Sequence, residues 1–458
     1  MIVSKMRLIL TIMIFTWPSG LFSQTHQPSL DDLITIVHGK DSIKSAEAVT
    51  AIGKRRPASE LAIRTLIDSL NDDRRAVHIP NHVFIIFPVE TVGSKAADAL
   101  ADIGKPAVSQ ICEFINKSPN TNGRKRAILA LSKMESDASA SLPTLTRLLA
   151  DPQDEIRLQA VMAIVSIQKD SHSLSKILGT VLSDESPEVR AAAIQAVGAL
   201  GEAGSPNIPR LIELLDDTDD RSHFYTPDMT GTRPIRYDAA IALAFMGKKA
   251  EVALVQLKEI MNRDPDPIVR VAAAFAIARM SDAPDDAVGA LISAIQHDEH
   301  GSDVVSDALI WLGKLGARAK VAIPELEHAL EHPDVLVRIH ALEAIVAISP
   351  ETAESRLLKM FRDEDALVRA SVIENLGSLG KATPEVMSVY IAALQDSDTV
   401  GSTELRHAAA IALGRLQEKA VAAIPHLNRL AEQDKSEWVR SAAIDALQQI
   451  SSGQTEID

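Results

Sequence analysis

The sequence predicts an all-α fold, an α-α superhelix of about twelve stacked helix pairs, and three observations carry that prediction. First, a motif recurs along nearly the whole chain, and Asp184–Asp217 is its plainest copy. Second, apolar residues inside that copy fall at three- and four-residue steps. Val189, Ala193, Ala196, Val197 and Leu200 form one helical stripe, and Leu211, Ile212, Leu214 and Leu215 form a second. Third, the chain is rich in Ala, Leu and Ile and only 3% aromatic, which disfavours sandwiches and propellers, whose strands want aromatic side chains. Neither helix of the unit can bury its stripe alone, so the unit needs neighbours, and stacked copies supply one continuous core without domain breaks.

In chain order, residues 1–23 stand apart. Lys5 and Arg7 precede the apolar run Leu8–Trp17, and Pro18, Gly20 and Ser23 follow, the order of a secretory signal peptide with cleavage expected after Ser23. No later apolar run reaches the ~18–20 residues that span a bilayer. The mature chain is therefore expected to be exported, periplasmic or extracellular, without an integral span. Residues 24–452 are expected to form the repeat array and 453–458 a short tail.

The arginine of a recurring Val-Arg pair serves as a ruler. Its positions are Arg124, Arg157, Arg190, Arg236, Arg270, Val305, Arg338, Arg369, Arg406 and Arg440, with Gly93 and Ser42 at the equivalent places upstream. The helix that carries the ruler is called the VR helix below. Gly201 and Gly204 are expected to end the VR helix of the plain copy, and Pro206 and Pro209 suit the start of the next. Pro106, Pro143, Pro324 and Pro425 mark the same start elsewhere.

The motif Asp184-x5-Arg190-x2-Ala193-Ile194-x-Ala196-Val197-x2-Leu200-Gly201 resembles a HEAT repeat, and more narrowly the short HEAT-like repeats of the bilin (phycobilisome, PBS) lyase type. The resemblance covers roughly residues 30–450. It implies an armadillo-like α-α superhelix with VR helices on the concave side. It implies little about activity, because such repeats serve many scaffolds and few enzymes.

An aspartate six residues before the ruler recurs in Asp151/Arg157, Asp184/Arg190, Asp264/Arg270, Asp363/Arg369 and Asp434/Arg440. Five spaced copies suit a ladder of turn caps and ion pairs linking successive repeats better than a binding strip. Two steps of the ruler are too long, with the excess at 71–92 and 217–234, both at the turn before a VR helix. The second insertion carries Phe224, Tyr225 and Met229, apolar handles that a solvated spacer does not need.

Positions one, five and eight after the ruler are expected to face away from the core, by the ~100° advance per residue. From Arg236 to Val305 they include Tyr237, Ile241, Val271, Phe275 and Ile310, an apolar stripe where water expects polar side chains. With Phe224, Tyr225 and Met229 these are the candidate partner-binding residues. Leu129, Leu158 and Met162 form a smaller version.

The formal net charge is -15, and removing Lys5 and Arg7 with the leader makes it -17, a surface that repels nucleic acid. Cys112 is the single cysteine and lies in an apolar helical pattern, a structural residue. His297-Asp298-Glu299-His300, with His328 and His332 a helical turn apart, is the richest ligand cluster, but it lacks a third fixed ligand. No His-Glu dipeptide, phosphate loop, zinc-type cysteine pair or nucleophile elbow is present. Catalytic, cofactor and metal residues are thus expected to be none. The reading that follows is a non-catalytic, monomeric scaffold binding a protein or extended peptide. The alternative is a HEAT-like enzyme or cofactor-handling protein built on the histidines.

Overall fold

The computed structural model describes residues 28–76, 90–219, 233–297, 301–397 and 401–454. The leader, most of both insertions (with Phe224, Tyr225 and Met229), Asp298–His300 and residues 455–458 lie outside them. The described residues form two compact units, one up to Ala250 and one from Glu251. Each is an all-α stack of helix pairs. Among the described residues there are twelve VR helices, and the last, Glu437–Gln454, is followed by no other helix.

The helices start and stop where local chemistry directs. Asp41, Asp266, Asp334 and Asp365 are N-caps whose carboxylates accept first-turn N–H groups. Pro143, Pro209, Pro324 and Pro425 each sit in the first turn of the second helix of a pair, where the missing N–H costs nothing. Between the two helices runs a 3₁₀ turn, as in Gly201–Asn207 and Gly247–Ala253. Its first residue has left-handed φ: 56° at Gly201, but also 50° at Glu135 and 51° at Gln417.

The aspartate–arginine ladder is present, with its partners offset. Arg190 Nη1 donates to its own turn at the Asp184 carbonyl, 2.8 Å, and Arg157, Arg270, Arg338, Arg369 and Arg440 make the same six-residue contact at 2.7–2.9 Å. The aspartate's carboxylate instead takes the arginine of the preceding repeat. Arg157 holds Asp184 bidentately at 2.8 and 2.9 Å, and Arg338 holds Asp363 at 2.9 and 2.9 Å. Arg124–Asp151, Arg190–Asp217, Arg369–Asp396 and Arg406–Asp434 continue the series. The same carboxylate accepts the N–H two residues on, from Ser186 at 2.8 Å and from Asp365 at 2.9 Å. Each aspartate therefore shapes a turn and clamps two repeats at once.

Where the ruler is not arginine, two solutions appear. The first VR helix begins at Ser42 behind its Asp41 cap, which puts Ser45 rather than Ser42 at the ruler position. Arg74, from the start of the first insertion, reaches back to the Gly39 carbonyl and so replaces the missing guanidinium. Gly93 is served by Arg126 of the next VR helix, whose Nη1 lies 2.6 Å from where a Gly93 Cβ would stand and donates to the Leu70 carbonyl at 2.8 Å. At Val305 the rung lacks its guanidinium and its carboxylate. The partner position holds His332, whose Nδ1 accepts the Asp334 N–H at 3.0 Å and so keeps the turn.

The core is aliphatic, and a phenol is buried in it. Tyr390, on Pro384–Leu394, is fully buried, and its hydroxyl finds no hydrogen bond among the described residues. Burial, and after it the Glu354 charge, pushes this phenol's pKa up. Tyr390→Phe is expected to raise stability by about 0.5–1.5 kcal/mol, because the unsatisfied hydroxyl is removed at constant shape. A urea midpoint unchanged or lowered in the variant would contradict this.

Candidate interaction surface on the VR helices

The expected open face is only partly open. Tyr237, Val271 and Phe275 are buried, and Ile241 and Ile310 are half-buried. In the first unit Arg233 lies over the Tyr237 ring, 4.5 Å from its centroid. In the second unit Phe275 stacks on Trp311, centroids 4.4 Å apart and planes 21° from parallel. Expecting these side chains to be open was therefore wrong for Tyr237, Val271 and Phe275.

The physical reason lies in the layer of VR helices. A helix wheel assigns one buried stripe, facing the other helix of the pair, but a VR helix also touches VR helices beside it. The eighth residue after the ruler meets the sixth residue of the next VR helix. A Cβ on Gly198 would stand 2.9 Å from Ala242 Cα, one on Gly377 2.9 Å from Ala412 Cβ, and one on Gly414 3.0 Å from Ala446 Cα. Gly53 meets Ala99 in the same way. Glycine and alanine let the helices approach this closely, and the buried arc widens to include position one, where Tyr237 and Val271 stand, while Phe275 at position five is covered by its stacking on Trp311.

Open apolar surface is found instead on the VR helices Thr121–Lys133 and Asp154–Ile167. Leu129 is 38% exposed, Met162 47% and Val165 36%, with Leu158 half-buried beside them. These helices pack together. The Lys125–Glu155 ion pair, 2.6 Å, brackets the patch at one end, and the Ser132–Ser166 hydroxyl pair, 2.8 Å, at the other. Leu129 and Met162 lie between those brackets and so side by side. Leu129, Leu158 and Met162 were legible as a minor stripe. Val165 was missed, although a valine eight after the ruler, where most repeats carry glycine, alanine or serine, was a signal.

Two further features line VR helices. In the first unit Asp238 is buried, with Gln195 Nε2 donating to its carboxylate at 3.3 Å. Burial pushes its pKa up to about 7, against the lowering effects of the Gln195 bond and the Arg233 charge. In the second unit a groove of about 370 Å³ opens between Ser402–Leu416 and Glu437–Gln454. It is floored by His407 stacked on Trp438, centroids 3.4 Å apart, and rimmed by Arg415, Ser441 and Asp445. Burial lowers the His407 pKa to about 4, so the imidazole is neutral at neutral pH.

Of the histidine cluster, His300 lies outside the described residues. His297 ends its helix with Nδ1 2.8 Å from the Ser293 carbonyl, His328 is exposed, and His332 completes the turn already described. Among the described residues no group of three or more His, Cys, Asp or Glu side chains is placed to hold a metal. Cys112 is half-buried and its thiol pKa is pushed up by burial. No helix of the described residues is long and apolar enough to cross a membrane.

Paired helices and a repeating inter-repeat ion-pair ladder define a helical-repeat protein. The chain belongs to the HEAT-repeat family, whose model matches residues 90–165, 143–222, 254–335, 323–401 and 399–458. Over 189 residues it is 30% identical to the phycocyanobilin lyase subunit alpha of Nostoc sp., a match covering 38% of this chain and 63% of that protein. Among solved structures it is similar to Kap95 in a complex with Nup1, with a TM-score of 0.55, 14% identity, and coverage of 99% of this chain and 66% of that one. Yeast importin-beta (Kap95p) gives a TM-score of 0.55 and 14% identity, over 93% of this chain and 64% of that one. The chain thus spans just under two thirds of each relative's length. At such identities the structural likeness speaks to the fold alone.

Proposed function

We propose that this chain is an exported, non-catalytic scaffold that binds a protein partner on the VR-helix face of its first unit. The observation that carries this reading is the patch of Leu129, Leu158, Met162 and Val165. It sets large apolar side chains in the open side by side on two VR helices that pack against each other. Apolar side chains framed by charged and hydroxyl pairs have the make-up of an interface centre with a polar rim. The solved relative in complex with Nup1 supports a scaffold reading at the level of fold. Export rests on the order of charged, apolar and small residues in 1–23.

The test is quantitative affinity capture from the native envelope extract with wild type and with Leu129→Ser/Met162→Ser/Val165→Ser. Wild type is expected to enrich a partner at least ~10-fold over the triple variant, about 1.4 kcal/mol or more of lost binding, at equal helicity. Identical capture by both would sink the assignment of the surface. Phe224, Tyr225 and Met229 are proposed to add to the contact. Phe224→Ser/Tyr225→Ser tests this separately, and unchanged capture would remove them. N-terminal sequencing of protein secreted with its own leader is expected to begin at Gln24, and an intact Met1 in the recovered protein would refute cleavage.

A further inference from the structure

In the second unit the groove between Ser402–Leu416 and Glu437–Gln454 gathers polar side chains that have no partners. His407 is the buried one. It is 6% exposed, it lines the groove, and neither ring nitrogen makes a hydrogen bond among the described residues. The imidazole is neutral at neutral pH, so it offers one N–H donor and one acceptor. A buried polar group in that state costs stability unless water or a ligand completes it. Arg415 and Asp445, one on each wall, likewise make no hydrogen bond or ion pair among the described residues. Ser402–Leu416 has a VR helix packed on each side, Ala366–Ser378 and Glu437–Gln454. The open groups of His407 and Arg415 therefore do not come from a missing neighbour. The corresponding rows of the first unit pair off among themselves. His407 and Trp438 stand where Lys125 and Glu155 pair at 2.6 Å, and Gly414 and Gln449 where Ser132 and Ser166 pair at 2.8 Å. Here the first pair is an aromatic stack, which covers one face of the indole and leaves Trp438 half-exposed. In the second, glycine makes the room, since a Cβ on Gly414 would stand 2.7 Å from Gln449 Oε1.

We propose that this groove binds a free α-amino acid with an aromatic side chain. The order of groups along its two walls carries the assignment. One wall runs His407, Ile411, Arg415 and the other Trp438, Ser441, Asp445, in steps of three or four residues that keep each set on one helix face. Gly414 lies against Ala446, so the helices run in the same sense and the two charges share one end. Each wall thus passes from an aromatic ring to a free charge over about 10–12 Å, at 1.5 Å per residue. An aromatic amino acid presents its groups in that order: a ring, then an ammonium and a carboxylate on one carbon. The ring packs on the indole and Ile411. The Arg415 guanidinium takes the carboxylate through two parallel N–H bonds, and the Asp445 carboxylate accepts from the ammonium. Ser441, between Trp438 and Asp445, and the acceptor nitrogen of His407 take the remaining ammonium protons. A carboxylate alone is repelled by Asp445 and an amine alone by Arg415, so the zwitterion is preferred to either. The volume of about 370 Å³ is at the small end for ligand sites, which suits a molecule of this size.

The test is calorimetric titration of the full chain with L-phenylalanine, L-phenylalaninamide and N-acetyl-L-phenylalanine. Wild type is expected to saturate with phenylalanine at a Kd below about 1 mM, and to bind the two blocked forms at least ~10-fold more weakly. Arg415→Gln should weaken phenylalanine at least ~10-fold and leave phenylalaninamide no weaker, because the amide has no carboxylate to lose. Asp445→Asn should do the same to phenylalanine and leave the N-acetyl form no weaker. His407→Phe keeps the stack but not the nitrogens, and should weaken phenylalanine at unchanged helicity. No saturation by about 10 mM overturns the proposal. So does a wild type that binds all three compounds equally, or an Arg415→Gln that weakens phenylalanine and its amide alike. The Leu129–Val165 patch is in the first unit and this groove in the second, so either can fail without the other.

Discussion

Asp184→Ala is expected to destabilise the first unit by about 3–5 kcal/mol, the cost of stranding one member of a buried ion pair. The Arg157 and Asp184 side chains are 6% and 8% exposed and bonded bidentately. Removing the carboxylate leaves a buried guanidinium whose other contacts are the Asp151 carbonyl at 2.9 Å and Glu185, 3.3 Å away on a largely solvated side chain. The turn loses its acceptor for the Ser186 N–H as well. Asp184→Asn should fall between wild type and alanine, because an amide oxygen can cap the turn but cannot balance the charge. Hydrogen exchange resolved over Asp154–Ala199 is the measurement, since a repeat stack need not unfold in one step. Protection equal to wild type in Asp184→Ala would show that the ladder is ornamental. The Val305–His332 rung lacks both the guanidinium and the carboxylate and yet its helices pack as closely as their neighbours, whereas Asp184→Ala removes one member of its pair and leaves the other buried.

Asp238→Asn is expected to stabilise the protein at alkaline pH and to flatten its pH profile. In the folded chain this carboxyl has a pKa of about 7, raised by burial, against ~3.9 in an unfolded chain. Below ~4 both states are protonated and the group contributes nothing to folding. Between ~4 and 7 the unfolded chain ionises first, so stability falls as pH rises, by about 1.4 kcal/mol per pH unit. Above 7 the folded state must hold a buried carboxylate, and the full cost, on the order of 3–4 kcal/mol, is constant. Asparagine keeps the shape and can still bond Gln195, so the variant should match wild type at pH 4 and exceed it at pH 8. Thermal melts at the two pH values decide. A wild type whose stability does not fall across that window, or a variant no more stable at pH 8, would contradict the assignment.

The local order of this chain was open to reading because it rests on short-range chemistry. Pro143, Pro209 and Pro324 marked helix starts through a missing N–H, and the stripe from Val189 to Leu200 marked a helix through its own spacing. The aspartates read as turn caps and ion-pair partners proved to be both. What their spacing could not show was the offset, since Arg157 and Asp184 meet only after two helices have folded back between them. Arg74 and Arg126 were equally invisible as substitutes for the missing rulers of the first two units. Their targets, the Gly39 and Leu70 carbonyls, are 35 and 56 residues away and carry no motif.

Burial shows the same division most sharply. Periodicity identified the core side of the plain copy's VR helix correctly at Val189, Ala193 and Val197. It placed Tyr237, Val271 and Phe275 on open surface and gave Leu129 and Met162 a lesser part, whereas the structure leaves Leu129 and Met162 in the open and covers the other three. Helix type, repeat length and family follow from the chain alone, because each depends on residues within a few turns of one another. Which apolar residues are left for a partner depends on how closely adjacent helices approach. That was settled by glycine–alanine contacts such as Gly198–Ala242, made between helices and legible in neither one taken singly.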